Sequence, residues 1–135
     1  MAQDLTTVSV RMRGEPYAVD VSTDSHEFVM DVDASKGGND VGPDPHELLL
    51  ASLGACTVMT VKMYADRKGW AIDSIDARAS HATERTDEGM GHRFVVDMTI
   101  KGDLDDDQRA RLIDIAHRCP IHKALFEPKV IEIRG

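Results

Sequence analysis

Aromatic side chains are scarce in this chain: three Phe, two Tyr and one Trp make up 4% of 135 residues. A core cannot rest on ring packing and must lean on Leu, Ile, Val, Ala and seven Met, the last an adaptable filler. Basic residues are also in deficit, with 16 Lys and Arg against 24 Asp and Glu, a formal charge of −8. That balance speaks against nucleic acid, whose binding rests on neutralising phosphates, and against an anionic membrane surface. No basic segment followed by an apolar run opens the sequence, so no signal peptide is read there and a cytoplasmic location is expected. Cysteine occurs only twice. In a reducing compartment stable disulfides are rare, and those that form are usually catalytic or redox-sensing. The plain alternative is that a buried Cys is a small hydrophobe. With no internal repeat, linker or low-complexity stretch, residues 1–135 are expected to form one domain.

What is present reads as an α+β fold. Thr7 to Arg13, Tyr17 to Val21 and His26 to Val32 are β-prone, with turns at Gly14-Glu15 and Thr23-Asp24-Ser25. They predict an antiparallel meander. Asp33 to Pro43, with three glycines, is a loop. A helix then opens on Asp44 as N-cap, Pro45 at N1 and Glu47 at N3, and runs on from Leu48 to Ala65 with Gly69 as its stop. It is apolar on nearly all sides, which predicts a central buried helix. Ala71 to His81 and His92 to Lys101 alternate as strands around a polar loop, Thr83 to Gly91. A second helix starts near Asp105 with Gln108 at N3, and Leu112, Ile113, Ile115, Ala116 and Cys119 form its inward stripe. Pro120 breaks it. Ile121 to Phe126 is a short separate helix and Lys129 to Arg134 a final strand, giving β-β-β-α-β-β-α-β.

The chemistry-bearing candidates are the two cysteines. Pro120 can open a new helix with Cys119 at its N-cap, where unpaired N–H groups favour a thiolate. Cys56 lies within a helix beside Gly54 and Ala55, and its activation needs a cation or a carboxylate base from elsewhere. Glu47 is nine positions earlier, two and a half turns along a straight helix. His117, Cys119 and His122, with Cys56, offer zinc-type ligands, but their spacing matches no paired-ligand pattern and no metal site is predicted. His26, His46, His81 and His92 look scattered.

The run Gly42-Pro43-Asp44-Pro45-His46-Glu47-Leu48-Leu49-Leu50-Ala51-Ser52-Leu53-Gly54-Ala55-Cys56-Thr57 resembles the osmotically inducible protein C (OsmC) family. The run Ala116-His117-Arg118-Cys119-Pro120-Ile121-His122-Lys123 resembles that family's second cysteine motif. The resemblance implies an intertwined homodimer in which sheets from both chains wrap two central helices, with the site at the interface. In the peroxidase branches the first cysteine attacks an organic hydroperoxide. Its sulfenic acid then condenses with the second cysteine, and a dithiol, often lipoyl-linked, resets the disulfide. Here Cys56 would be peroxidatic and Cys119 resolving.

Two departures mark the sequence. The peroxidase branches place a glutamate directly after the helix-start proline, where this chain has His46 and then Glu47. One position is about 100° of helix rotation. Those branches also hold the thiolate and peroxide with an arginine, whereas no arginine lies between Arg13 and Arg67 here. Arg13 and Lys36 are the nearest candidate cations, and the chain looks closer to less characterised branches. The expected function is a cofactor-free thiol peroxidase with catalytic Cys56, Cys119, Glu47, His46, Arg13 and Lys36. Its partners would be a second copy, a small organic hydroperoxide and a dithiol reductant. A ligand-binding or redox-sensing module is the alternative, and a structural dimer with inert cysteines the third.

Overall fold

The computed structural model describes residues 5–14 and 16–135. The chain forms two compact units, Met1–Leu49 and Leu50–Gly135. The helix α1 (Pro45–Lys68) runs through the division.

The first unit holds the expected meander. Strands β1 (Ser9–Met12), β2 (Val19–Ser22) and β3 (Glu27–Met30) pair antiparallel in the order β1-β2-β3. Each is shorter than its β-prone run. Glu15 of the expected Gly14-Glu15 turn lies outside the described residues. At the second turn, the Thr23 side chain accepts from the His26 N–H at 2.9 Å. The glycine-rich loop after β3 contains one 3₁₀ turn, Ala34–Lys36, and is organised by Asp31. That carboxylate is buried and accepts the N–H groups of Val32 (2.7 Å), Asn39 (3.1 Å) and Val41 (3.3 Å). Burial pushes its pKa up, but the three donors outweigh it and hold Asp31 below the ordinary carboxylate range.

α1 begins with a reciprocal cap. The Glu47 N–H donates to Asp44 Oδ1 at 2.7 Å, and the Asp44 N–H donates to Glu47 Oε1 at 3.0 Å. It ends where Gly69 takes φ +71° and the Trp70 N–H returns to the Ala65 carbonyl, a left-handed stop that suits glycine. Among the described residues it is the one helix long and apolar enough to cross a membrane, by length and composition alone.

The expectation that α1 is buried on all sides is corrected. Within the chain only Leu53, Thr57, Val61 and Ala65 are buried, one stripe at intervals of four. Met59 and Met63 are 57% and 60% exposed. One chain supplies neighbours for a single face of the helix, so its composition exceeds what these contacts cover.

In the second unit β4 (Ser74–Thr86) and β5 (Gly89–Lys101) form a long antiparallel hairpin. The expected loop at Thr83 to Gly91 is therefore shorter than its polarity suggested, and only Asp87 and Glu88 stand between the paired Thr86 and Gly89. Polar residues sit well on strands whose far ends are exposed. α2 (Asp106–Ala116) carries the predicted Asp105/Gln108 capping box, and α3 (Pro120–Phe126) follows directly. The Arg109 guanidinium donates to the Ile100 and Gly102 carbonyls at 2.7 and 2.9 Å, fastening α2 to the end of β5. The core is Val61, Ala65 and Leu112, packed against Tyr64, Trp70, Ile72, Ile75, Met98 and Ile100 among others. Cys119, Leu112 and Ile115 of the expected inward stripe are buried, but Ile113 is exposed.

The expected final strand does not form: Lys129 to Arg134 takes no strand pairing. Val130, Ile131 and Ile133 are almost fully exposed. The segment has strand-forming side chains but pairs with none of the described strands.

Candidate functional site

Cys119 stands at the junction of α2 and α3. Pro120 occupies N1 of α3, leaving Cys119 as its N-cap, as the Cys-Pro pair predicts. The His122 N–H donates to Cys119 Sγ at 3.4 Å, and the Lys123 N–H to the Cys119 carbonyl at 3.1 Å. The residue is wholly buried.

Cys56, on α1, is only partly buried. The Cys119 side chain, the backbone of Ile121 and the Thr60 side chain lie close enough to act on its thiol electrostatically. The fold thus brings together two thiols separated by most of the second unit's sequence. Burial pushes the Cys56 pKa up, and the hydrogen bond to Cys119 pushes it further. The Ile121 backbone and the Thr60 side chain pull the other way but do not outweigh these effects. Both cysteines are free thiols. One is accessible and the other is shielded, an asymmetry that suits successive rather than equivalent roles in thiol chemistry.

Arg13, Lys36, His46 and Glu47 belong to the first unit. Arg13 pairs with Asp20 across the β1–β2 hairpin at 3.1 Å. Lys36 ends the 3₁₀ turn, where its N–H donates to the Asp33 carbonyl at 3.1 Å. His46 lies in the first turn of α1, and the Glu47 carboxylate is engaged in the cap.

The second unit also holds an open pocket of about 550 Å³, which neither cysteine lines. Its walls include Leu53 and Thr57 of α1, Phe94 and Met98 of β5, and Leu125 and Phe126 of α3, with His92, His117 and His122 among the polar lining. The His117 Nδ1 donates to the Ile113 carbonyl at 2.9 Å. Among the described residues no group of three or more His, Cys, Asp or Glu is placed to hold a metal ion.

Sequence inspection missed one association. His81 and His92 looked scattered, yet His81 Nε2 and His92 Nδ1 lie 2.9 Å apart. The available signal was parity, since both share the strand face of Ala79, Phe94 and Val96.

Comparison with known proteins adds the family. A family model described as OsmC-like protein matches residues 37–134. No curated protein matches the chain at a significant level. Among solved structures, an OsmC-like protein from Mycoplasma pneumoniae is 22% identical with a TM-score of 0.72, over 92% of this chain and 89% of that one. An organic hydroperoxide resistance protein from Elizabethkingia anophelis is 22% identical with a TM-score of 0.67, over 93% and 91%. The organic hydroperoxide resistance protein OhrB of Bacillus subtilis is 23% identical with a TM-score of 0.63, over 93% of each chain. At these identities the likeness is one of fold.

Proposed function

The chain belongs to the OsmC-like protein family, and on that footing we propose that it is a cofactor-free thiol peroxidase acting on organic hydroperoxides. The observation that carries the proposal is the influence of the buried Cys119 side chain on the partly accessible Cys56 thiol, which sets the two cysteines in one neighbourhood. Solved relatives of the same fold named for organic hydroperoxide resistance support the substrate class.

In the proposed cycle the Cys56 thiolate attacks the outer peroxide oxygen. An S–O bond forms, the O–O bond breaks, and the leaving alkoxide takes a proton to depart as an alcohol. The peroxide gains two electrons and Cys56 becomes a sulfenic acid. The Cys119 sulfur then attacks the Cys56 sulfur, the S–S bond forms, and water leaves. An external dithiol, lipoyl-linked in character, restores both thiols by exchange. The Ile121 backbone and the Thr60 side chain act in the direction that favours the Cys56 anion. Glu47 or His46 would supply the base and Arg13 or Lys36 the cation. These assignments require the one-domain arrangement of residues 1–135 and its association with a second copy as a homodimer. A cytoplasmic setting would keep the two thiols reduced between turnovers.

The test is stopped-flow consumption of cumene hydroperoxide by the pre-reduced protein, with thiols followed by mass spectrometry. One Cys56–Cys119 disulfide per chain is expected. Cys56→Ser should lower the rate by about three orders of magnitude or more, the scale of losing a nucleophile. Cys119→Ser should stop at a sulfenic acid that a carbon-acid reagent traps. Unchanged turnover in Cys56→Ser would overturn the proposal. The pocket of about 550 Å³ favours a second reading, a module that binds an apolar ligand without turnover. A ligand that raises the melting temperature of Cys56→Ser as much as that of the wild type, with no peroxide consumed by either, would favour it.

A further inference from the structure

The helix α3 is short and lightly held. Its seven residues fall below the roughly 12–15 at which an isolated helix becomes stable in water. None of them is buried, and Phe126 is 83% exposed. The partners of the N–H groups at its start therefore matter more than in a well-packed helix. The Cys119 N–H returns to the Ala116 carbonyl at 3.3 Å. Pro120 has no N–H. The Lys123 N–H closes the first turn on the Cys119 carbonyl at 3.1 Å.

That leaves the donors of Ile121 and His122. The His122 N–H donates to Cys119 Sγ at 3.4 Å. The Ile121 backbone acts on the Cys56 thiol in the direction that favours its anion, the sign of an N–H donor. The two remaining donors of the first turn thus look to sulfur, one to each cysteine. A sulfur that can ionise is the stronger acceptor, because charge-assisted hydrogen bonds exceed neutral ones. In a disulfide neither sulfur can ionise, and each gives one bonding direction to the other. Both donors lose their ionisable acceptors in the same step.

We infer that α3 is a redox-gated wall of the second unit, docked while Cys56 and Cys119 are thiols and released when they join as a disulfide. It contributes His122, Leu125 and Phe126 to the pocket, so its release opens that side. Cys119 is wholly buried in the thiol form and is joined directly to α3. The same movement therefore carries the buried sulfur toward solvent, where a dithiol reductant reaches it. The dithiol supplies two electrons and two protons, both acceptors return, and the helix docks again. The inference rests on the proposed pairing of the two cysteines, but not on peroxide as the oxidant.

The test is amide hydrogen exchange on the full chain, first reduced and then treated with diamide. Diamide takes two electrons and two protons from the thiols and leaves the Cys56–Cys119 disulfide. Protection of the Lys123 to Glu127 amides should fall by about fivefold or more on oxidation, the scale of losing a helix cap. α1 and the β4–β5 hairpin should keep theirs, and dithiothreitol should restore α3. In the reduced state, Cys119→Ala leaves the His122 N–H without its acceptor and should loosen α3 in the same way. Cys119→Ser keeps a capping oxygen and should not. Unchanged exchange in α1 and the hairpin shows that each variant is folded. A disulfide form whose α3 is as protected as in the reduced protein would overturn the gate and leave the peroxidase standing. Release of α3 by diamide in a protein that consumes no peroxide would support the gate and remove the peroxidase. No disulfide after diamide would overturn both.

Discussion

Cys56 and Cys119 carry the same side chain in different settings, and the difference sets how each can react. Cys119 is buried at a helix start, with the His122 N–H on its sulfur. Cys56 is partly accessible, and burial together with the neighbouring thiol raises its pKa above the ordinary thiol range. Only the thiolate is nucleophilic. Raising the pKa therefore shrinks the reactive fraction at neutral pH, and raising the pH restores it. In single-turnover assays, peroxide consumption should climb about tenfold per pH unit below the Cys56 pKa, with no plateau at neutrality. A rate flat from pH 6 upward would mean that peroxide and a bound cation lower this pKa in the working complex. The placement of Cys119 was legible because a Cys-Pro pair after a helical stripe has a local cause. The Cys56–Cys119 proximity was not, because nothing in the spacing of the two cysteines states where two separate elements meet.

At the scale of elements, caps and periodicity carried the most information. Asp44/Glu47 and Asp105/Gln108 each close a reciprocal cap, as a polar pair three residues apart predicts. Strand ends were read less well: Thr83 to Thr86 are polar yet paired, since ladder hydrogen bonds do not require apolar side chains. Helix docking in the second unit rests on Leu112, wholly buried against Val61 and Ala65. Leu112→Ala should cost about 2–5 kcal/mol from lost transfer energy and the cavity left behind. Chemical denaturation would measure this as a lower midpoint with little change in slope. A loss under about 1 kcal/mol would mean that α2 shifts to fill the space.

At the scale of the whole molecule, the chain exposes apolar side chains that a lone domain has little reason to keep. Met59 and Met63 on α1 and Val130, Ile131 and Ile133 near the C-terminus are all outward. The proposed homodimer would cover such residues, so sedimentation equilibrium at micromolar concentration should give twice the mass of the chain. An Ile131→Glu/Ile133→Glu double variant should shift the equilibrium toward single chains, because burying two carboxylates is costly. A wild-type monomer throughout that range would remove the basis for a site shared between copies. By itself the sequence determined the α+β class, the helix starts, the meander and the Cys119 cap, because each follows from neighbours within a few positions. It also carried the family, in the two cysteine motifs. Tertiary structure alone decided which face of α1 is buried, that the two cysteines share one neighbourhood, and that His81 meets His92. Each of these depends on packing between segments far apart in the chain, and local preference does not encode that distance.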